Sequence, residues 1–164
     1  MKLSKNFSKA ELCKSQTATR MGLNNNPTDD QTENLRLLCE RVLQPVRDHF
    51  NQVVSISSGF RDPILSAKIG SSINSQHCKG EAADLEIFGV ANNELADWIK
   101  ENLMFDQLIL EYYTPGEPNS GWVHVSYTKE INSNRKEYLM ATKNALGKTE
   151  YKQILGLSTD RYVK

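Results

Sequence analysis

The sequence predicts an α+β fold, a small antiparallel sheet with flanking helices, and two observations carry that expectation. Apolar residues recur at helical spacing through Leu35, Leu38, Val42, Val46 and Phe50, and again through Leu95, Trp98 and Ile99. Short runs that read as strands occupy residues 53–58, 82–87, 107–112 and 122–127. The last two are joined by Thr114-Pro115-Gly116-Glu117-Pro118-Asn119-Ser120-Gly121, a link rich in turn formers, which makes them antiparallel neighbours.

The elements follow in order. Ser8 with Glu11 resembles a capping box that opens a short helix, and Asn24-Asn25-Asn26-Pro27 reads as a loop. Thr28 with Gln31 caps the long helix, in which Pro45 is expected to cause a kink or an early end because it lacks an N–H. The β-branched run 53–58 stops at Gly59. Asp62-Pro63 then pairs a favoured N-cap with a favoured first helical residue, fixing Arg61 at a strand-to-helix junction. A polar loop, residues 71–75, leads to His77, and Asp84 lies in the next strand. Residues 92–102 form an amphipathic helix with Trp98 as a core anchor. His49 closes the long helix as a cation favoured by the helix dipole and has no motif partner.

With 164 residues and 38% hydrophobic content, the chain can bury one core without disulfide staples, so a single domain over residues 1–164 is expected. Lys plus Arg balance Asp plus Glu at 20 each, and no basic stripe interleaves with aromatics, so no nucleic-acid partner is expected. Cys13, Cys39 and Cys78 are odd in number and lack Cys-x-x-Cys spacing; they read as reduced thiols. The polar start and the lack of an apolar run of roughly 18 residues predict a product made in the cytoplasm without a signal peptide or membrane insertion.

The chemistry concentrates in Ser75-Gln76-His77-Cys78-Lys79-Gly80-Glu81-Ala82-Ala83-Asp84, where an imidazole and a carboxylate flank a glycine, and in Trp122-Val123-His124-Val125-Ser126-Tyr127. Two histidines and one carboxylate are the ligand type that leaves a fourth zinc position open, as catalysis requires. A strand histidine is more often a half-buried, hydrogen-bonded side chain, so spacing alone leaves both readings open. Alternation puts Ile109, Glu111 and Tyr113 on one face of their strand and Trp122, His124 and Ser126 on one face of its partner, so Glu111 can lie beside His124 if register allows. Glu111 interrupts an apolar run, and buried carboxylates need a partner or a function.

The pattern Ser-x-His-x-x-Gly-x-Ala-x-Asp at 75–84, followed by Trp-x-His at 122–124, resembles the zinc D-Ala-D-Ala carboxypeptidase family, peptidase M15, with its phage endopeptidase relatives and the hedgehog signalling domain. Val42-Leu43-Gln44-Pro45-Val46-Arg47, Ser58-Gly59-Phe60-Arg61-Asp62-Pro63 and Phe105-Asp106-Gln107-Leu108-Ile109-Leu110-Glu111 extend the match over about residues 7–127. The resemblance implies a hedgehog/DD-peptidase-like fold and a Zn2+ cofactor on His77, Asp84 and His124. It also implies Glu111 as catalytic base and Arg61 as the cation that holds a substrate carbonyl or anion. Ser75 would orient substrate or the metal shell, and Trp122, beside His124, reads equally as a cleft wall or as a core aromatic.

Some carboxypeptidases of the wider family carry the acid three residues before the final histidine, where Gly121 stands here; Glu117 is the fallback. The implied substrate is an amide bond in the stem peptide of bacterial peptidoglycan, cut by a monomeric phage lysis enzyme at the cell wall or periplasm or carried in the virion. The alternative is a non-catalytic metal-binding virion or cell-envelope protein of the same fold. Residues 128–164, with eight Lys and Arg against four Asp and Glu, suit anionic envelope polymers but read more plainly as a helical or partly disordered tail with a solvated face.

Overall fold

A computed structural model gives the fold of residues 1–154. Six strands form one sheet: β1 (Val54–Ser58), β2 (Ala82–Ile87), β3 (Gln107–Glu111), β4 (Trp122–Ser126), β5 (Glu137–Lys143) and β6 (Thr149–Gln153), in the spatial order β1-β2-β4-β3-β5-β6. Neighbours run antiparallel, as expected, except β3 and β5, which are parallel. The helices are α1 (Lys9–Leu12), α2 (Gln16–Met21), α3 (Asp29–Leu38), α4 (Gln44–Phe50), α5 (Pro63–Lys68) and α6 (Asn92–Asn102). The α+β class stands.

Strand alternation divides the sheet into a core face and an open face. Leu85, Leu108, Leu110, Val123 and Val125 are fully buried on one side, in one cluster with Leu95 and Ile99 of α6 and with Leu35, Leu38 and Val42 of the long helical rod. Burying each such side chain stabilises the fold by about 1.5–3 kcal/mol. Asp84, Glu111, Trp122 and His124 point to the other side and are only partly covered.

Pro45 neither ends nor interrupts the rod. Residues Cys39–Leu43 form a π turn in which the Gln44 N–H donates to the Cys39 carbonyl, five residues back, so Pro45 falls in the first turn of α4, where no donor is required. His49, in the last turn of α4, stacks on Trp98 with ring centroids 4.4 Å apart.

Residues 128–154 depart most from the sequence reading. The helical or partly disordered tail supplies β5 and β6 instead, and Tyr138 is buried with its hydroxyl donating to Asp97 Oδ1 at 2.8 Å. The strand pattern there is obscured by Lys143, Lys148 and Lys152, which are exposed on the β5–β6 hairpin. The rest of the expected tail, residues 155–164, lies outside the described residues.

Candidate metal centre

β2 and β4 pair so that Asp84 sits directly opposite His124, and the two side chains meet on the open face. His124 Nδ1 lies 3.0 Å from Asp84 Oδ1. His77 arrives from a 3-10 turn, Gln76–Lys79, and its Nε2 lies 3.4 Å from the same oxygen. One ligand atom from each of the three residues falls within 4.8 Å of the other two, and the imidazole centroids are 5.1 Å apart.

The turn that delivers His77 is held at both ends. The Ser75 hydroxyl accepts the His77 N–H at 3.2 Å, and Gly80 closes the turn at φ 74°. A side chain at position 80 would put its Cβ 2.4 Å from the Gln31 carbonyl oxygen, so glycine is required both by conformation and by space. His77 Nδ1 lies 2.8 Å from the Gly59 carbonyl, a group that only accepts, so this nitrogen carries the hydrogen. Nε2 is thereby the nitrogen turned toward Asp84 and free for a metal, the arrangement that orients a metal-bound histidine.

Two of the three donor separations match a tetrahedral cation, and the third lies within 4.8 Å. Donors about 2.05 Å from zinc at tetrahedral angles stand roughly 3.3 Å apart, and the two contacts to Asp84 Oδ1 are 3.4 and 3.0 Å. Burial pushes the Asp84 carboxyl upward, but hydrogen bonds from His124 and His77 outweigh it and hold the group well below the usual aspartate range. Asp84 is therefore an anion at neutral pH, ready to face a dication.

Glu111 ends β3 on the same face. It pairs with Trp122, while His124 pairs with Ile109, so Glu111 is a diagonal neighbour of His124. Burial raises its pKa above the ordinary glutamate value; the His124 charge lowers it less, and the Asp84 charge adds to the rise. Among the described residues its carboxylate has no hydrogen bond or ion pair. The face-sharing expected of Tyr113 fails, because Tyr112 adopts φ 53°, which breaks the alternation and sends Tyr113 into the core.

Arg61, Ser75, Glu111 and Trp122 line one cleft of about 470 Å³ with the three candidate ligands. The Arg61 backbone N–H donates to the His77 carbonyl at 3.1 Å and its guanidinium to Ser58 Oγ at 3.2 Å. Glu117 is exposed in the turn after β3 and does not line the cleft. Cys78 is buried with its Sγ toward the Ser72 carbonyl, outside the donor set.

Three supporting residues escaped the sequence reading. Asn25 donates to the Cys13 and Phe60 carbonyls and accepts the Asp62 N–H, pinning the junction that carries Arg61. Buried Asp106 accepts Gln76 Nε2 at 2.9 Å and is clamped by the Arg135 guanidinium and backbone N–H. Tyr151 of β6 also lines the cleft. Asp106 lies in the Phe105–Glu111 motif, but nothing in that motif signals a partner at Arg135.

The family description Peptidase M15 matches residues 5–126, which span every candidate ligand and Glu111. The chain belongs to the peptidase M15 family. M15 peptidases are metal-dependent, and the three converging donors give this member a possible site for the ion. No match appears among curated proteins. No helix among the described residues is long and apolar enough to cross a membrane.

Proposed function

We propose that this M15 peptidase is a zinc enzyme that hydrolyses an amide bond in the stem peptide of bacterial peptidoglycan, as a D-Ala-D-Ala carboxypeptidase or an endopeptidase of the phage lysis type. The observation that carries this reading is the convergence of His77, Asp84 and His124 beside Glu111, a half-buried carboxylate with no hydrogen bond or ion pair among the described residues. Such carboxylates are costly to keep unless they act. Zinc, when held by these ligands, would polarise a substrate carbonyl and make a water acidic near neutral pH.

The chain's own groups supply the rest. Glu111 takes the proton of the attacking water on a carboxylate oxygen and passes it to the leaving amine, a role its raised pKa suits. Arg61, locked to the His77 turn through its backbone, directs its guanidinium to the substrate carbonyl or its oxyanion; a comparable donor is worth about 3 kcal/mol. Ser75 fixes the His77 backbone, which gives it a positioning role. Trp122 walls the cleft beside Glu111. The site of action is the cell wall, reached from the cytoplasm or with the virion, by a monomer.

Purified peptidoglycan incubated with zinc-loaded protein, with fragments read by mass spectrometry, tests the proposal and identifies the bond. Cleavage by wild type that disappears in Glu111→Gln supports it. No release by wild type would leave a non-catalytic metal-binding envelope or virion protein, and equal release by Glu111→Gln would remove the proposed base.

A further inference from the structure

The family match ends at residue 126, yet the cleft does not. Four strands place one residue each in a single row across the open face: Trp122 of β4 pairs with Glu111 of β3, Glu111 with Ala141 of β5, and Ala141 with Tyr151 of β6. Ala141 is small and fully buried, and Tyr151 beyond it lines the same cleft as Glu111. Tyr151 is 56% exposed, a large aromatic surface open to solvent at the mouth of the site.

The strand that presents this ring is fixed in place from within the site. Tyr112, turned onto the open face by its left-handed backbone, packs its ring on Trp122 at 5.4 Å and hydrogen-bonds Thr149 Oγ1 at 2.6 Å. β6 buries little of its own: four of its five residues are exposed, so core packing does not account for its aromatic. Arg61 follows β1 at the far edge of the sheet, and the candidate ligands on β2 and β4 lie between. The cleft therefore crosses the strands, with a cation at one end and an aromatic at the other.

Resting on the function proposed above, we infer that Tyr151 forms an extended subsite for the substrate peptide on the Glu111 side of the metal centre. Glu111 and Tyr151 stand two strands apart, roughly 9.6 Å at about 4.8 Å per spacing. That equals roughly three residues of extended peptide at about 3.3 Å each. The ring thus meets backbone amides or a small apolar side chain about three positions from the cleaved bond, where an aromatic face with a hydroxyl at its edge offers both stacking and a hydrogen bond. Peptides that stop short of this position forgo the contact, so the enzyme prefers substrates that continue on this side.

The test starts from the bond that zinc-loaded wild type cleaves in peptidoglycan and uses synthetic stem peptides lengthened one residue at a time on either side of it. Wild type is expected to gain about five-fold in kcat/KM on one side only as the third residue is added, the size of a contact worth about 1 kcal/mol. Tyr151→Ala should abolish that gain through KM with kcat little changed, and Tyr151→Phe should keep most of it. Far-ultraviolet circular dichroism on the variants confirms that the exposed edge strand tolerates the change. A length preference that survives in Tyr151→Ala, or none in wild type, overturns the subsite and leaves the peptidase reading intact. No cleavage of any peptide or of peptidoglycan overturns both.

Discussion

Gly121 stands so close to Glu111 that a Cβ on residue 121 would lie 1.8 Å from the Glu111 carbonyl oxygen. Its φ of 65° is also one that side chains rarely adopt, and Asn92 fixes the spot by donating to the Ser120 and Gly121 carbonyls. This position therefore cannot host the acid that some relatives carry there. Gly121→Ala is expected to cost about 2 kcal/mol, since the obstacle is backbone and cannot rotate away. Urea unfolding measures it; an unchanged midpoint would show that the β3–β4 link relaxes freely.

Asp106 should couple stability to metal affinity. Burial alone would raise its pKa, but the Arg135 side chain, the Arg135 N–H and Gln76 outweigh that and hold it below the usual aspartate value. Because the folded pKa is depressed, its contribution is fully present above the unfolded aspartate pKa and is lost as pH falls through the folded one. Asp106→Asn should cost about 2 kcal/mol at neutral pH, with wild type converging on the variant in acid. Loosening Gln76 also frees the His77 turn, so zinc affinity should fall about tenfold in competitive chelator titrations. A pH-independent difference would show that the carboxylate charge is not what holds the clamp.

Glu111 should show the opposite sign. Its pKa is raised in the metal-free fold, first by burial, so the folded state holds its proton more tightly than the unfolded chain does. The cost of burying the charged form is absent below the unfolded glutamate pKa and complete above the folded one. Metal-free Glu111→Gln is thus expected to melt higher than metal-free wild type at pH 7 and level with it in acid, and the zinc-loaded variant should lose a factor of about 100 or more in kcat. Equal melting at both pH values would mean that the carboxylate is well solvated.

The convergence of His77, Asp84 and His124 was legible through the Ser-x-His-x-x-Gly-x-Ala-x-Asp and Trp-x-His motifs, whose resemblance implies one ion on all three; spacing alone left each histidine open to an ordinary half-buried role. Register was not legible, and it alone makes Asp84 face His124 and places Glu111 diagonally rather than opposite. Asn25 and Asp106 were invisible for a different reason. Their work is done by side-chain tips that bond groups far away in the chain, such as Phe60 and Arg135, and no periodicity encodes such a contact. The β5–β6 hairpin was missed because its solvated cations dominated the composition, although Tyr138 and Met140 alternate with Leu139 and Ala141 as a strand requires.

Metal should stabilise the fold through Asp84 above all, since both imidazoles converge on its Oδ1. In the metal-free protein this carboxylate is already charged at neutral pH, so binding requires no proton to leave it. A ligand present at about 1,000 times its Kd adds roughly 4 kcal/mol to a state that alone can bind it. Chelator dialysis should therefore lower Tm by several degrees, one equivalent of zinc should restore it, and atomic absorption should find one bound ion. Asp84→Ala should melt alike with and without zinc and carry no ion. If that variant still binds one equivalent with unchanged affinity, the ion sits elsewhere and the three groups on the open face are not its ligands.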